Sequence, residues 1–98
     1  MIEHIVMWRM KDENKAENTA EMISKLRSLK DKVWVIRALR AGTDFNGGDN
    51  AYDVGLAVTL NSRADLEIYQ KHPEHQRVGE FVRSVTTERA VVDFEYQG

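Results

Sequence analysis

Three histidines and a tyrosine are the residues of this chain best suited to chemistry. His4 lies in the opening apolar stretch, and the others are packed into Tyr69-Gln70-Lys71-His72-Pro73-Glu74-His75. An imidazole titrates near ~6.5, so it can take or release a proton at neutral pH. A tyrosine hydroxyl can donate a hydrogen bond to a substrate oxygen. His4, His75 and Tyr69 would therefore suffice as a general base, a second proton carrier and an oxygen-polarising donor. The absence of cysteine excludes a thiol nucleophile, a zinc ribbon, an iron–sulfur site and a disulfide framework.

Each candidate has a plainer reading. His4 could be a core imidazole satisfied by a backbone carbonyl or by Tyr69, and Tyr69 an amphipathic core residue with its hydroxyl at the rim. His72, just before Pro73, could simply cap a helix. His75, one turn into a helix, could be exposed and idle. A metal is not expected: His72 and His75 stand at i, i+3 across a proline, whereas helical metal pairs favour i, i+4, and no third ligand is evident. Asp93 and Glu95 share a strand face and could be paired carboxylates, but read more simply as edge charges that discourage aggregation. Arg37, Arg40 and Arg83 are too scattered to make a basic stripe. Gly47-Gly48 precedes no phosphate-binding helix pattern, and no cofactor motif is found.

The elements that must position these residues follow from periodicity. Residues 2–10 read as a strand, with His4, Val6, Trp8 and Met10 on one face and Ile5, Met7 and Arg9 on the other. Val6 and Trp8 thus accompany His4 as candidate ligand-binding residues, and His72 joins them from the helix junction. Both faces of this strand are largely apolar, so it is expected to be covered on both sides. Met22, Ile23, Leu26, Leu29 and Val33 gather on one stripe of a helix over residues 14–32. Residues 33–40 are β-branched and aromatic, a second strand. A glycine-containing loop over 43–50 leads to a third, in which Tyr52, Val54, Leu56, Val58 and Leu60 share a face. Ser62 and Asp65 form a capping-box variant opening a short helix, which His72-Pro73 stops. A further helix carries Val78, Phe81, Val82 and Val85, and residues 88–96 alternate as a last strand. The order is βαββαβ, an α+β ferredoxin-like fold with a four-stranded antiparallel sheet. Its helices cover one sheet face, and the simplest cover for the other is a second copy, so a homodimer is expected.

Composition bounds the rest. Ninety-eight residues with 14 Lys+Arg against 16 Asp+Glu make one modest domain, read here as residues 1–98. The near-balanced charge offers nucleic acid no global attraction. No apolar run approaches the ~18–20 residues of a spanning helix, and the start lacks a basic leader region, so no membrane partner and a cytoplasmic location are expected.

Three patterns converge on a known family. The opening Ile2-Glu3-His4-Ile5-Val6-Met7-Trp8-Arg9-Met10, the segment from Leu66 to His75 and the closing Val91-Val92-Asp93-Phe94 resemble the stress-responsive A/B barrel domain (Dabb) family. The resemblance runs over essentially the whole chain, and Tyr-x-x-His-Pro-x-His is its most specific part. It implies a dimeric α+β barrel formed by the sheets of two ferredoxin-like protomers. Most members have no assigned activity. Some plant members are polyketide cyclases using a strand-1 His, the helix Tyr and the second motif His, which correspond here to His4, Tyr69 and His75. Two functions are therefore weighed: a protein that binds a small apolar or aromatic ligand in the barrel without turnover, and a cofactor-free cyclase, isomerase or lyase. A cofactor-free monooxygenase is a weaker third.

Overall fold

The structure, a computed structural model, describes residues 1–97. Nine residues of alternating burial make the first strand, β1 (Ile2–Met10): Ile2, His4, Val6, Trp8 and Met10 are buried and the residues between them less so. This period of two is what a strand packed closely on one face requires. It is followed by α1 (Lys15–Lys32), β2 (Ile36–Thr43), β3 (Val54–Leu60), α2 (Arg63–Lys71), α3 (Pro73–Val85) and β4 (Thr86–Glu95). The strands form one antiparallel sheet in the order β2-β3-β1-β4, the ferredoxin-like arrangement expected, with β1 inside.

The core lies between one face of this sheet and the helices. Met22, Ile23, Leu26 and Leu29 of α1 meet Val54, Leu56, Val58 and Leu60 of β3, while Val78, Val82 and Val85 of α3 complete the layer. Among the described residues, no helix is long and apolar enough to cross a membrane.

Two local expectations are corrected. The second strand begins at Ile36, not at residue 33. The Val33 N–H bonds Leu29 O and the Ile36 N–H bonds Val33 O, so the helix exit consumes this β-branched run and leaves Trp34 78% exposed. Tyr52 precedes β3 instead of joining its buried face; its ring takes the Arg9 guanidinium at 4.3 Å. The outer face of β1 is open within the protomer, with Met7 exposed. That face continues onto β4, where Val92 lies opposite Ile5 and Phe94 opposite Glu3, and both β4 residues are exposed.

The connection between β2 and β3 is fastened to β1 by Asp53 and by Arg9, whose guanidinium donates to Ala51 O at 2.8 Å. Asp53 accepts from the Met10 N–H at 2.7 Å and pairs with Lys15 at 3.2 Å, while its own N–H bonds Trp8 O. The Met10 bond is the main cause that holds its carboxyl below the usual range; burial opposes it, and Lys15 and Arg9 add to the lowering.

Candidate functional site

The site begins at the middle of β1. His4 is 2% exposed and, among the described residues, is the one buried polar residue in an otherwise apolar core. An imidazole here needs a partner, because an unmatched polar group in the core is costly. Asp93 supplies it from the neighbouring strand. The two residues are directly opposite in the β1–β4 register, and His4 Nδ1 hydrogen-bonds the Asp93 carboxylate. The edge-charge reading of Asp93 is thereby corrected: its side chain is on the helix side of the sheet, turned onto a buried imidazole. With Nδ1–H donated to the carboxylate, Nε2 is left as the nitrogen with the free lone pair.

Tyr69 comes from the last turn of α2 and His75 from the first turn of α3. The helix break between them is built by the sequence in two ways. Pro73 occupies the first position of α3, and His72 Nδ1 accepts from the Glu74 N–H at 3.1 Å, capping that helix. Redirected in this way, the chain brings the Tyr69 ring over His4 at 5.7 Å between centroids and against His75 at 4.6 Å, both edge-on. Tyr69 is fully buried and His75 half-buried. The three expected site residues therefore meet within one protomer. His72 does not join them, since its ring is committed to the cap.

These rings line a cavity of about 290 Å³ between the sheet and the helices. Val6 and Trp8 line it, with Leu26, Leu29, Leu56, Val78 and Val82 supplying further apolar wall. Because the His4 face is the one covered by helices, the cavity opens on the inner side of the sheet and not in the space the outer face would enclose. Gly79, Arg83 and Arg89 complete the lining. Sequence reading missed Asp93 and Arg89, although Asp93 stood inside the quoted Val-Val-Asp-aromatic pattern and Arg89 four residues before it on the same strand face. Among the described residues, no group of three His, Cys, Asp or Glu side chains is placed to hold a metal ion.

Two buried polar atoms in this cluster have no hydrogen-bond partner among the described residues: the Tyr69 hydroxyl and His75 Nδ1. Native proteins rarely leave such groups unmatched, and each costs stability. Burial pushes the Tyr69 hydroxyl well above its ordinary pKa, opposed in part by Arg89, so it remains a donor. Burial is also the main cause that lowers the His75 pKa. The nearby His4 imidazole and the guanidinium groups of Arg89 and Arg83 disfavour a further positive charge there, and the Gln70 backbone partly opposes them. His75 is thus biased toward the neutral form.

The sequence matches the profile of the stress-responsive A/B barrel domain over residues 2–96. The chain belongs to this family. Its fold recurs in a dimeric protein of unknown function from Bacteroides fragilis, 26% identical, with a TM-score of 0.82 over 97% of this chain and 95% of that one. A dimeric ferredoxin-like protein of unknown function from Jannaschia sp. is 27% identical, with a TM-score of 0.81 over 97% and 98% of the two chains. A hydroxynitrile lyase from Passiflora edulis shares the fold at a TM-score of 0.85, covering 95% of this chain and 90% of its own, with 16% identity. No curated protein matches the chain.

Two predictions follow from the buried groups. Tyr69→Phe removes a hydroxyl that has no partner, so equilibrium urea unfolding should find the variant as stable as the parent or about 1 kcal/mol more stable. A large loss would mean that the hydroxyl is paired. For His75, the folded pKa lies below the unfolded value, so the unfolded chain binds the proton first as pH falls. Stability contributed by neutral His75 is full above the unfolded pKa of ~6.5 and is lost as pH drops through the folded pKa. Between pH 7.5 and 5.5 the parent should lose more stability than His75→Gln, measured as the shift in urea midpoint. Equal losses would contradict the assignment.

Proposed function

We propose that this protein binds a small, largely apolar molecule bearing a carbonyl-type oxygen in the inner cavity and moves a proton on it without a cofactor. The carrying observation is the His4–Asp93 pair at a cavity that also holds two unpaired buried polar atoms. A protein selected only for stability would fill this space with apolar side chains. Retained instead is a base with a fixed tautomer beside a hydroxyl with nothing to bond. Strain of this kind between local rules and stability is characteristic of functional sites.

His4 Nε2 takes a proton from the carbon beside the carbonyl, and the C–H electron pair moves toward the oxygen. Asp93 stabilises the imidazolium that forms, as a carboxylate partner does for a catalytic histidine. The Tyr69 hydroxyl, kept protonated by burial, donates to the oxygen as negative charge develops on it. Neutral His75 sits beside Tyr69 and exchanges the second proton. Return of a proton to carbon gives isomerisation, and attack by the enolate on a second carbonyl gives ring closure. The relationship to a hydroxynitrile lyase fold is compatible with such acid–base work on small molecules.

The test is exchange of the α-hydrogens of phenylacetone in D₂O, followed by NMR. The parent should accelerate exchange, His4→Gln and Tyr69→Phe should each lower the rate by about 10²-fold, and circular dichroism should be unchanged. Binding of phenylacetone without accelerated exchange would leave a ligand-binding protein and remove the catalyst. Neither binding nor exchange, across a panel of small aryl ketones, would overturn the reading.

We also infer that the working form is a homodimer joined through the outer sheet face. Exposed Met7, Val92 and Phe94 there make an apolar surface that a second copy would bury, and the Bacteroides and Jannaschia relatives are dimeric. Sedimentation equilibrium at low micromolar concentration should give twice 11.3 kDa, and Val92→Glu should shift the equilibrium to monomer. A folded monomeric parent would refute the assignment.

A further inference from the structure

Two guanidinium groups stand at the inner cavity without partners. Arg83 of α3 and Arg89 of β4 both line it. Neither takes part in any ion pair among the described residues, whereas Arg9, Arg63 and Arg77 each pair with a glutamate. Both residues are exposed, so their charge lies toward the opening while the apolar lining and Tyr69 lie deeper. They are close enough to the buried rings to be felt there: both oppose protonation of His75, and Arg89 favours the ionised form of Tyr69.

A second feature of α3 fits the same purpose. Gly79 lies in the interior of a thirteen-residue helix, where glycine weakens the helix relative to alanine. Its backbone needs no positive φ. A Cβ at this position would stand 3.2 Å from Arg83 Nη1, tighter than ordinary van der Waals contact. The missing side chain therefore leaves room for the Arg83 guanidinium to lie back along the helix, one turn toward its start, on the wall of the cavity. Among the described residues, no carboxylate lines the cavity, and Asp93 beside it is taken by His4.

We propose that the ligand carries an anionic group, a carboxylate or a phosphate, which Arg83 and Arg89 hold at the cavity mouth while its apolar body lies over Trp8 and Tyr69. Guanidinium groups suit either anion, because both accept paired N–H donors. This inference rests on the inner cavity being a ligand site and adds the class of molecule it selects.

The test uses three probes with one apolar body: 1-naphthoate, 1-naphthyl phosphate and the neutral 1-naphthalenemethanol. Binding is read by quenching of tryptophan fluorescence and by calorimetry at low and high salt. At least one anion should bind about tenfold more tightly than the alcohol, and the preference should shrink with salt. The tighter of the two anions assigns the group. Arg83→Gln and Arg89→Gln should each narrow the ratio of anion to alcohol affinity, and Gly79→Ala should narrow it through displaced Arg83. Arg77→Gln, on the same helix but outside the cavity, should leave the ratio intact. Equal binding of anions and alcohol would overturn the anion proposal while the cavity stands as a ligand site. An anion preference that survives both arginine variants would overturn it too. If none of the probes binds, the ligand site itself fails and the proposal falls with it.

Discussion

The hydrogen bond between His4 and Asp93 is the constraint on which the rest of the arrangement depends. It places a titratable ring in the centre of an apolar sheet face and satisfies it from the adjacent strand. The pairing exists only in one register. Side chains alternate faces along a strand, so a slip of one residue between β1 and β4 would turn Asp93 to the outer face and strand the imidazole. The register irregularity at Arg9 and Met10 falls beyond the pair, toward the other end of the strands, and leaves this alignment intact. Register, tautomer and burial are thus settled by the same contact.

The second requirement is the break between α2 and α3. In an unbroken helix, residues 69 and 75 would project about 120° apart around the axis, since six residues at 3.6 per turn are one and two-thirds turns. They could not then close on one ring from the sheet. Pro73 denies the α-helix its continuation and His72 caps the new start, so Tyr69 and His75 come from two helix ends that converge. His72 therefore serves the site by what it does to the backbone. His72, a candidate ligand-binding residue by sequence, is the one that allows the other two rings to meet across Tyr69.

How much of this was legible depended on the range of the interaction. The period-two burial of β1, the stripe of α1 and the cap at Ser62 depend on neighbours along the chain, and all three could be read from the sequence. The β2 boundary was misplaced because Val33-Trp34-Val35-Ile36 has strand composition but is needed to leave α1 and turn. Asp93 was misjudged for a different reason. A carboxylate in a strand looks like an edge charge unless its partner is known, and that partner lies 89 residues away. The grouping of His4, Tyr69 and His75 was implied by the family resemblance. The lone arginines at the cavity had no local signature at all, since Arg83 and Arg89 sit on different elements.

The alternation of β4 gives one short segment two duties. Asp93 and Arg89 lie on the face toward the helices, one holding His4 and the other at the cavity mouth. Val92 and Phe94 point the opposite way, onto the surface assigned to a second copy of the chain. The tetrad Val91-Val92-Asp93-Phe94 therefore carries the partner of His4 on its inner face and exposed apolar side chains on its outer face. A change that tilts or slips this strand would disturb both, because neither face can move without the other. If the dimer forms as proposed, burying Val92 and Phe94 also stiffens the strand that carries Asp93. The stability of the association and the positioning of the base are then coupled through a backbone only four residues long.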